Sequence, residues 1–238
     1  MWLLEQSVRL AMEQAQAAGI MPNDEQKALF EASRISSDNS RLLSVAGNTA
    51  RIAIEGVLSK TPNFLAMLFG GGNTTYGEII NAVAEAETDD SIEEIEFMFD
   101  SPGGNIDGLF DTIDVLAAIK KPTTAVVTGL AASAAYMLAS QADEIIATNN
   151  ASRVGSIGVL WSTRVDPNEI SITSTNAPKK NPDVTTDEGK AIVREELDAL
   201  HDLFVGAIAR GRDVSDDKIN ANFGQGAVLL AGEALKRG

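Results

Sequence analysis

From Ala50 onward, short apolar runs alternate with stretches in which apolar residues recur every three or four positions. The first pattern is that of buried strands and the second that of amphipathic helices. Their alternation predicts an α/β domain rather than a helical bundle or a β-sandwich. "ARIAIEGVL" (Ala50–Leu58) reads as a strand and "YGEIINAVAEAET" as a helix with Ile79, Ile80, Val83 and Ala84 on one face. "IEEIEFMF" (Ile92–Phe99) is the next strand, and "NIDGLFDTIDVLAAIKK" repeats Ile106, Leu109, Phe110, Ile113, Leu116 and Ala117 at helical spacing. Strand "TTAVVTG", helix "SAAYMLASQA" and strands "EIIAT" and "VGSIGVLW" (Val154–Trp161) continue the series. A polar stretch to Thr186 leads into a long helix opened by acidic residues and ended near Gly211.

Three regions fall outside this alternation. In residues 1–48, Trp2, Leu3, Val8, Leu10, Ala11 and Met12 fit an amphipathic helix closed by Gly19, followed by a polar Ser/Asn/Asp-rich stretch. This reads as an N-terminal helical arm and linker, which leaves 49–238 as the folded domain. "TPNFLAMLFGGGNTTYG" reads as a loop because of Gly70, Gly71 and Gly72. At the other end the helical pattern of "AGEALKRG" stops at Gly238 in a C-cap position, which suggests a truncated or processed chain.

Composition narrows the chemistry. A chain of 238 residues with 44% apolar positions can bury one substantial core. Its formal net charge of −15 disfavours nucleic acid as a partner, since phosphate binding needs clustered Lys and Arg. With no Cys, disulfides, thiolate catalysis and Cys-based zinc sites are excluded. With one histidine, His201, multi-His metal sites are excluded too, and no metal or cofactor is expected. No run approaches the roughly 18 apolar residues of a membrane span, and the start lacks a basic n-region. The chain is therefore expected to lack a membrane anchor and to be cytoplasmic.

Two small-residue stretches interrupt the apolar pattern: "FDSPGGNID" (Phe99–Asp107) and "GLAASAAYMLAS" (Gly129–Ser140). A Gly-Gly pair just past a strand opens backbone conformations closed to other residues and can leave N–H groups bare. A helix beginning near Ser133 likewise has unpaired N–H groups and a dipole that favours negative charge. If the two turns lie side by side, the N–H groups of Gly103 and Ala134 converge beside the Ser133 hydroxyl, as an oxyanion hole with its nucleophile. Taken singly, each stretch reads more simply as structure, a common turn and a close-packed helix. Their combination points to chemistry.

That combination resembles a known family. "TTYGEIINAV", "IEFMFDSPGGNIDG" and "KPTTAVVTGLAASAAYMLASQADEIIATNNASRVGSIGVL" are similar to the signal peptide peptidase A family of Ser-Lys peptidases, in particular its phage head-maturation branch. The shared marks are Ser-Pro-Gly-Gly, the serine followed three residues later by Tyr136, and Gly-Ser-Ile-Gly-Val at Gly155–Val159. The resemblance implies a Clp-protease/crotonase-like fold of repeated ββα units, a homo-oligomeric ring, Ser133 as nucleophile, and Gly104 and Tyr136 as supporting residues.

A serine needs a base, and His201, within a long amphipathic helix, reads as a core-edge or surface residue. The resemblance implies instead a lysine after a small-residue turn. In "SITSTNAPKKNPD" Lys180 fits that place better than Lys179, which stays the alternative. A lysine base must be neutral, which means lowering a reference pKa of about 10.4 to about 7–8, or roughly 4 kcal/mol against the ammonium. Burial can supply that and surface exposure cannot, so Lys180 is expected to be buried near Ser133, with a neighbouring subunit helping to order its segment. By the same resemblance the substrates are scaffold and capsid proteins, cleaved inside the prohead of an infected bacterial host. Two rivals remain: a bacterial cytosolic peptidase of the same family, and a non-catalytic assembly module that binds scaffold.

Overall fold

The computed structural model describes residues 2–4, 41–62, 73–166 and 170–238. Among the described residues two short strands come first, β1 (Trp2–Leu4) and β2 (Leu43–Ala46). The predicted strand over Ala50–Leu58 is in fact two, β3 (Thr49–Glu55) and β4 (Val57–Ser59), divided at Gly56 with φ 66°. A positive φ is open to glycine at little steric cost. The chain turns there and its two strands enter different sheets. β5 (Asn73–Thr75) and helix α1 (Tyr76–Thr88) complete this first unit. The Thr75 hydroxyl accepts from the Glu78 N–H at 3.2 Å while the Glu78 carboxylate accepts from the Thr75 N–H at 2.9 Å, a capping box that fixes where α1 begins.

The pattern repeats. β6 (Glu94–Ser101) breaks at Pro102 into β7 (Gly103–Asn105), followed by α2 (Leu109–Ala117). β8 (Thr123–Ala132) then runs into α3 (Ala134–Ala139). β9 (Glu144–Ala147) and β10 (Arg153–Gly155) follow, and then α4 (Asp187–Arg212), α5 (Asp216–Asn222), β11 (Val228–Leu230) and α6 (Ala231–Arg237). The larger sheet has the order β11-β10-β8-β6-β3-β2, with β9 also on β8. Its central strands β3, β6 and β8 are parallel. The smaller sheet runs β1-β7-β4-β5. The α/β fold of repeated ββα units implied by the sequence is therefore present.

The core lies between the larger sheet and its helices. Ile95, Phe97 and Phe99 of β6 alternate inward beside Ile52 and Ile54 of β3 and Ala125 and Val127 of β8. Helix α1 covers them with Ile79 and Val83, and α2 with Leu109, Ile113 and Leu116. Each such side chain, fully buried, contributes about 1.5–3 kcal/mol, so the scaffold of the two small-residue turns is rigidly held.

Three expectations change. Trp2–Leu4, expected to be helical, is a strand because pairing with β7 overrides local periodicity. The rest of the predicted arm up to residue 40 lies outside the described residues, as does 63–72 of the glycine-rich loop. Leu43–Ala46, read as linker, pairs antiparallel with β3. The predicted strand Val154–Trp161 stops at Gly155, because Gly155 (φ 109°) and Ser156 (φ 55°) turn the chain.

Candidate active site

The two turns singled out in the sequence meet at the ends of β6 and β8. The strands run in register through Phe99 opposite Val127, then shift so that Ser101 faces Ala131. Asp100 fills the irregularity: its Oδ1 accepts from the Leu130 N–H at 3.1 Å. A Cβ on Gly129 would lie 2.5 Å from that oxygen, so a side chain there would force the Asp100 carboxylate to move. The shift lets Leu130, Ala131 and Ala132 pair with Arg153, Val154 and Gly155 of β10. β8 is thus delivered to Ser133 with neighbours on both sides.

Ser133 has φ 56° and ψ −123°, outside the regions that a residue with a side chain prefers, at a typical cost of about 1–3 kcal/mol. Two bonds hold it there. Its N–H donates to the Gly155 carbonyl at 2.8 Å, and its own carbonyl accepts from the Met137 N–H at 3.0 Å. Its hydroxyl does not cap α3, unlike the usual serine in that position, and the residue is 2% exposed. A backbone held under strain with an uncommitted hydroxyl is what a nucleophile at a strand-to-helix turn requires.

The glycine turn lies beside it, since α3 packs against β7. Gly103 has φ 95°, and a Cβ on Gly104 would come 1.8 Å from the Leu58 carbonyl oxygen. The pair is therefore glycine for two separate reasons, conformation and close approach. The Gly103 N–H is not bare as expected: it donates to the Ser101 hydroxyl at 3.2 Å, which in turn donates to the Gly56 carbonyl at 2.7 Å. Ser101 is within reach because its side chain points inward beneath the Pro102 turn, fully buried. Ala134 opens α3, where first-turn N–H groups have no intrahelical acceptor.

Tyr136 is buried, and burial pushes its phenol up from its ordinary pKa, opposed in part by Arg212. It lines a small cavity of about 30 Å³ with Val154, Gly155 and Phe223, so it packs beneath the turn that fixes Ser133. Tyr76 donates to the Asn105 carbonyl at the end of β7, and burial, with Asp107 nearby, raises its phenol pKa strongly.

The lysines differ. Lys179 and Lys180 are both exposed on the loop before α4. Lys179 pairs with Glu195 at 3.4 Å, while the Lys180 N–H donates to the Ala177 carbonyl at 3.2 Å. The buried setting expected for Lys180 is not formed within the single chain. His201 is half-buried on α4 and its Nε2 lies 3.2 Å from Asn220 Oδ1. Sequence reasoning missed Asp100 and Ser101 as positioning residues and used Gly155 only as a family mark. Asp100, Ser101 and Gly155 each make a contact to a residue distant in the chain, Leu130, Gly56 and Ser133, which no local pattern encodes. Among the described residues no group of His, Asp and Glu could hold a metal ion, and no helix is long and apolar enough to cross a membrane.

Residues 116–165 match peptidase family S49. The chain is 37% identical over 91 residues to capsid assembly protease C of Escherichia phage lambda, covering 37% of this chain and 20% of that protein. It is 29% identical over 162 residues to head-tail preconnector protein GP5 of Enterobacteria phage P21, covering 64% and 32%. Protease 4 of Haemophilus influenzae is 26% identical over 186 residues, covering 71% and 28%. The chain thus spans a third or less of the length of these relatives. Among solved structures, an enoyl-CoA hydratase from Polaromonas sp. JS666 matches with a TM-score of 0.39 at 21% identity, covering 47% of this chain and 49% of that one.

Proposed function

We propose that the chain, which matches peptidase family S49 over residues 116–165, is a serine endopeptidase in which Ser133 is the nucleophile and Lys180 the base. The observation that carries this reading is the strained Ser133 backbone, bonded at both N–H and C=O, with its hydroxyl left free. In the reaction the Ser133 oxygen attacks a peptide carbonyl carbon as its proton passes to the neutral Lys180 amine. The Ala134 and Gly103 N–H groups receive the developing oxyanion, Gly103 exchanging its long bond to Ser101 for a charged acceptor. The C–N bond breaks, the leaving amine takes the proton from Lys180, and water then releases the acyl group from Ser133.

Lys180 enters this scheme only if its loop is buried, and the loop's composition supports a covering partner. Ile170 and Ile172 stand 87% and 91% exposed, ten and eight positions before Lys180. Apolar residues so placed favour contact with another surface. The reading is that a second copy of this chain covers the loop in a ring and completes the dyad. Scaffold and capsid proteins are the proposed substrates and the prohead the proposed place of action, and the similarity to a phage capsid assembly protease supports a role in capsid assembly.

A fluorophosphonate probe tests the chemistry. It is expected to label Ser133 in the assembled protein and to fail on Ser133→Ala. Absence of labelling at every pH and in every oligomeric state would favour the rival reading, a non-catalytic assembly module, to which the exposed Lys180 lends support.

A further inference from the structure

Strand β7 is paired on both sides. Gly104 pairs with Leu58 of β4 on one side, and β1 runs along the other, with Trp2 opposite Asn105, Leu3 opposite Gly104 and Leu4 opposite Gly103. Because β1 is antiparallel, it advances toward the Gly103 end of β7. That end adjoins the nucleophile: Ser101 faces Ala131, two residues before Ser133, and α3 packs on β7. The chain therefore lays one of its own segments along the strand beside Ser133, directed at it.

An extended peptide that adds a strand to a sheet edge is held by main-chain hydrogen bonds. Gly103 and Gly104 suit that mode, since neither carries a side chain and both are fixed as glycine, one by its φ of 95° and the other by the approach of Leu58. Recognition at these two positions reads backbone rather than side chains. β1 is three residues long and forms few ladder bonds, so it is displaceable in a way that β4, tied to β3 through Gly56, is not.

We propose that this edge of β7 is a peptide-binding edge and that Trp2–Leu4 holds it as an intramolecular competitor. An incoming extended peptide must displace this strand before its carbonyl reaches Ser133. Only that last step rests on the peptidase reading; occupancy of the edge does not.

The test uses the full chain carrying Ser133→Ala, so nothing depends on turnover, with a fluorescent peptide of sequence Met-Trp-Leu-Leu-Glu-Gln as probe. In an antiparallel pair successive N–H groups alternate toward and away from the neighbour. Leu3→Pro and Leu4→Pro are therefore combined, so that whichever donor faces β7 is removed. The probe is expected to bind the doubly substituted chain about tenfold or more tighter than its parent, because a tethered strand competes at high effective concentration. Hydrogen exchange at the amides of residues 103–105 is expected to be slow in the parent, faster in the variant, and slow again when probe is added. Equal affinities, no binding to either chain, or unchanged exchange would overturn the proposal. Binding as expected in a protein whose native Ser133 never takes fluorophosphonate would sink the peptidase reading and leave this one standing.

Discussion

Around Ser133 the strand before it pairs on both sides, the helix after it is wholly buried, and the residue's own N–H and C=O are both bonded. Around Lys180 the described residues between β10 and α4 have turns but no strand or helix, and Ile170 and Ile172 are presented to solvent. A nucleophile needs a fixed position, which a parallel sheet and a helix supply within one chain. A lysine base needs desolvation, which this loop acquires only from a surface packed over it. The contrast teaches that the half of the proposed machinery around Ser133 is a property of the fold, while the half around Lys180 falls to assembly only in the proposed ring.

The largest effect is expected on the fixed side. Ser133→Ala should lower peptide hydrolysis by at least about 10⁴-fold, since removing a nucleophile leaves only the binding contribution. Its melting temperature should match the parent's or exceed it slightly, because alanine meets the same strain at φ 56° as serine does while the hydroxyl is removed from a 2% exposed site. Lys180→Ala should reduce hydrolysis by about 10³-fold in the assembled protein, within the range typical of a lost general base. Lys179→Ala, which loses an exposed pair with Glu195, should leave hydrolysis near the parent's and change stability by less than about 1 kcal/mol. If Lys179→Ala is the inactive one, the lysine assignment shifts by one residue.

Gly104→Ala probes how rigid the fixed side is. Its Cβ would sit 1.8 Å from the Leu58 carbonyl oxygen, so β7 must move away from β4. A loss of about 3 kcal/mol in denaturant unfolding is expected, at the upper end of what overpacking costs. A neutral result would mean that β7 and β4 separate easily, against the contrast drawn above.

At neutral pH a smaller effect comes from the chain's two tyrosines, which carry a pH dependence at alkaline pH. Both Tyr76 and Tyr136 have phenols raised chiefly by burial. The folded state therefore holds their protons after the unfolded state has released them. Their contribution is fully present below about pH 10 and is lost as pH rises toward the folded values, at up to about 1.4 kcal/mol per pH unit for each tyrosine. Tyr76→Phe should halve that alkaline slope, while costing about 1 kcal/mol at neutral pH through the bond to Asn105. Stability measured by denaturant unfolding across this range checks both halves, and an unchanged slope would show that Tyr76 is not the group responsible.

Much of this was legible in the chain itself. The helix over Tyr76–Thr88 and the long helix closing near Gly211 are where periodicity puts them, and the strand expected over Ile92–Phe99 is present shifted by two residues, as Glu94–Ser101, because burial on one face repeats at the period of the element. The Ser-Pro-Gly-Gly turn and the serine at a helix start were legible as well, since glycine marks places where the backbone must do what other residues resist. Tertiary structure alone decided the rest. That Asp100 fills the shift beside Leu130, that Ser101 takes the Gly103 N–H, that Gly155 accepts from Ser133 and that Trp2–Leu4 lies along β7 are contacts between residues, some of them far apart in the chain. Local pattern reports the environment of one element at a time. Which strand ends meet, and what a hydroxyl finds there, depends on how those elements are stacked.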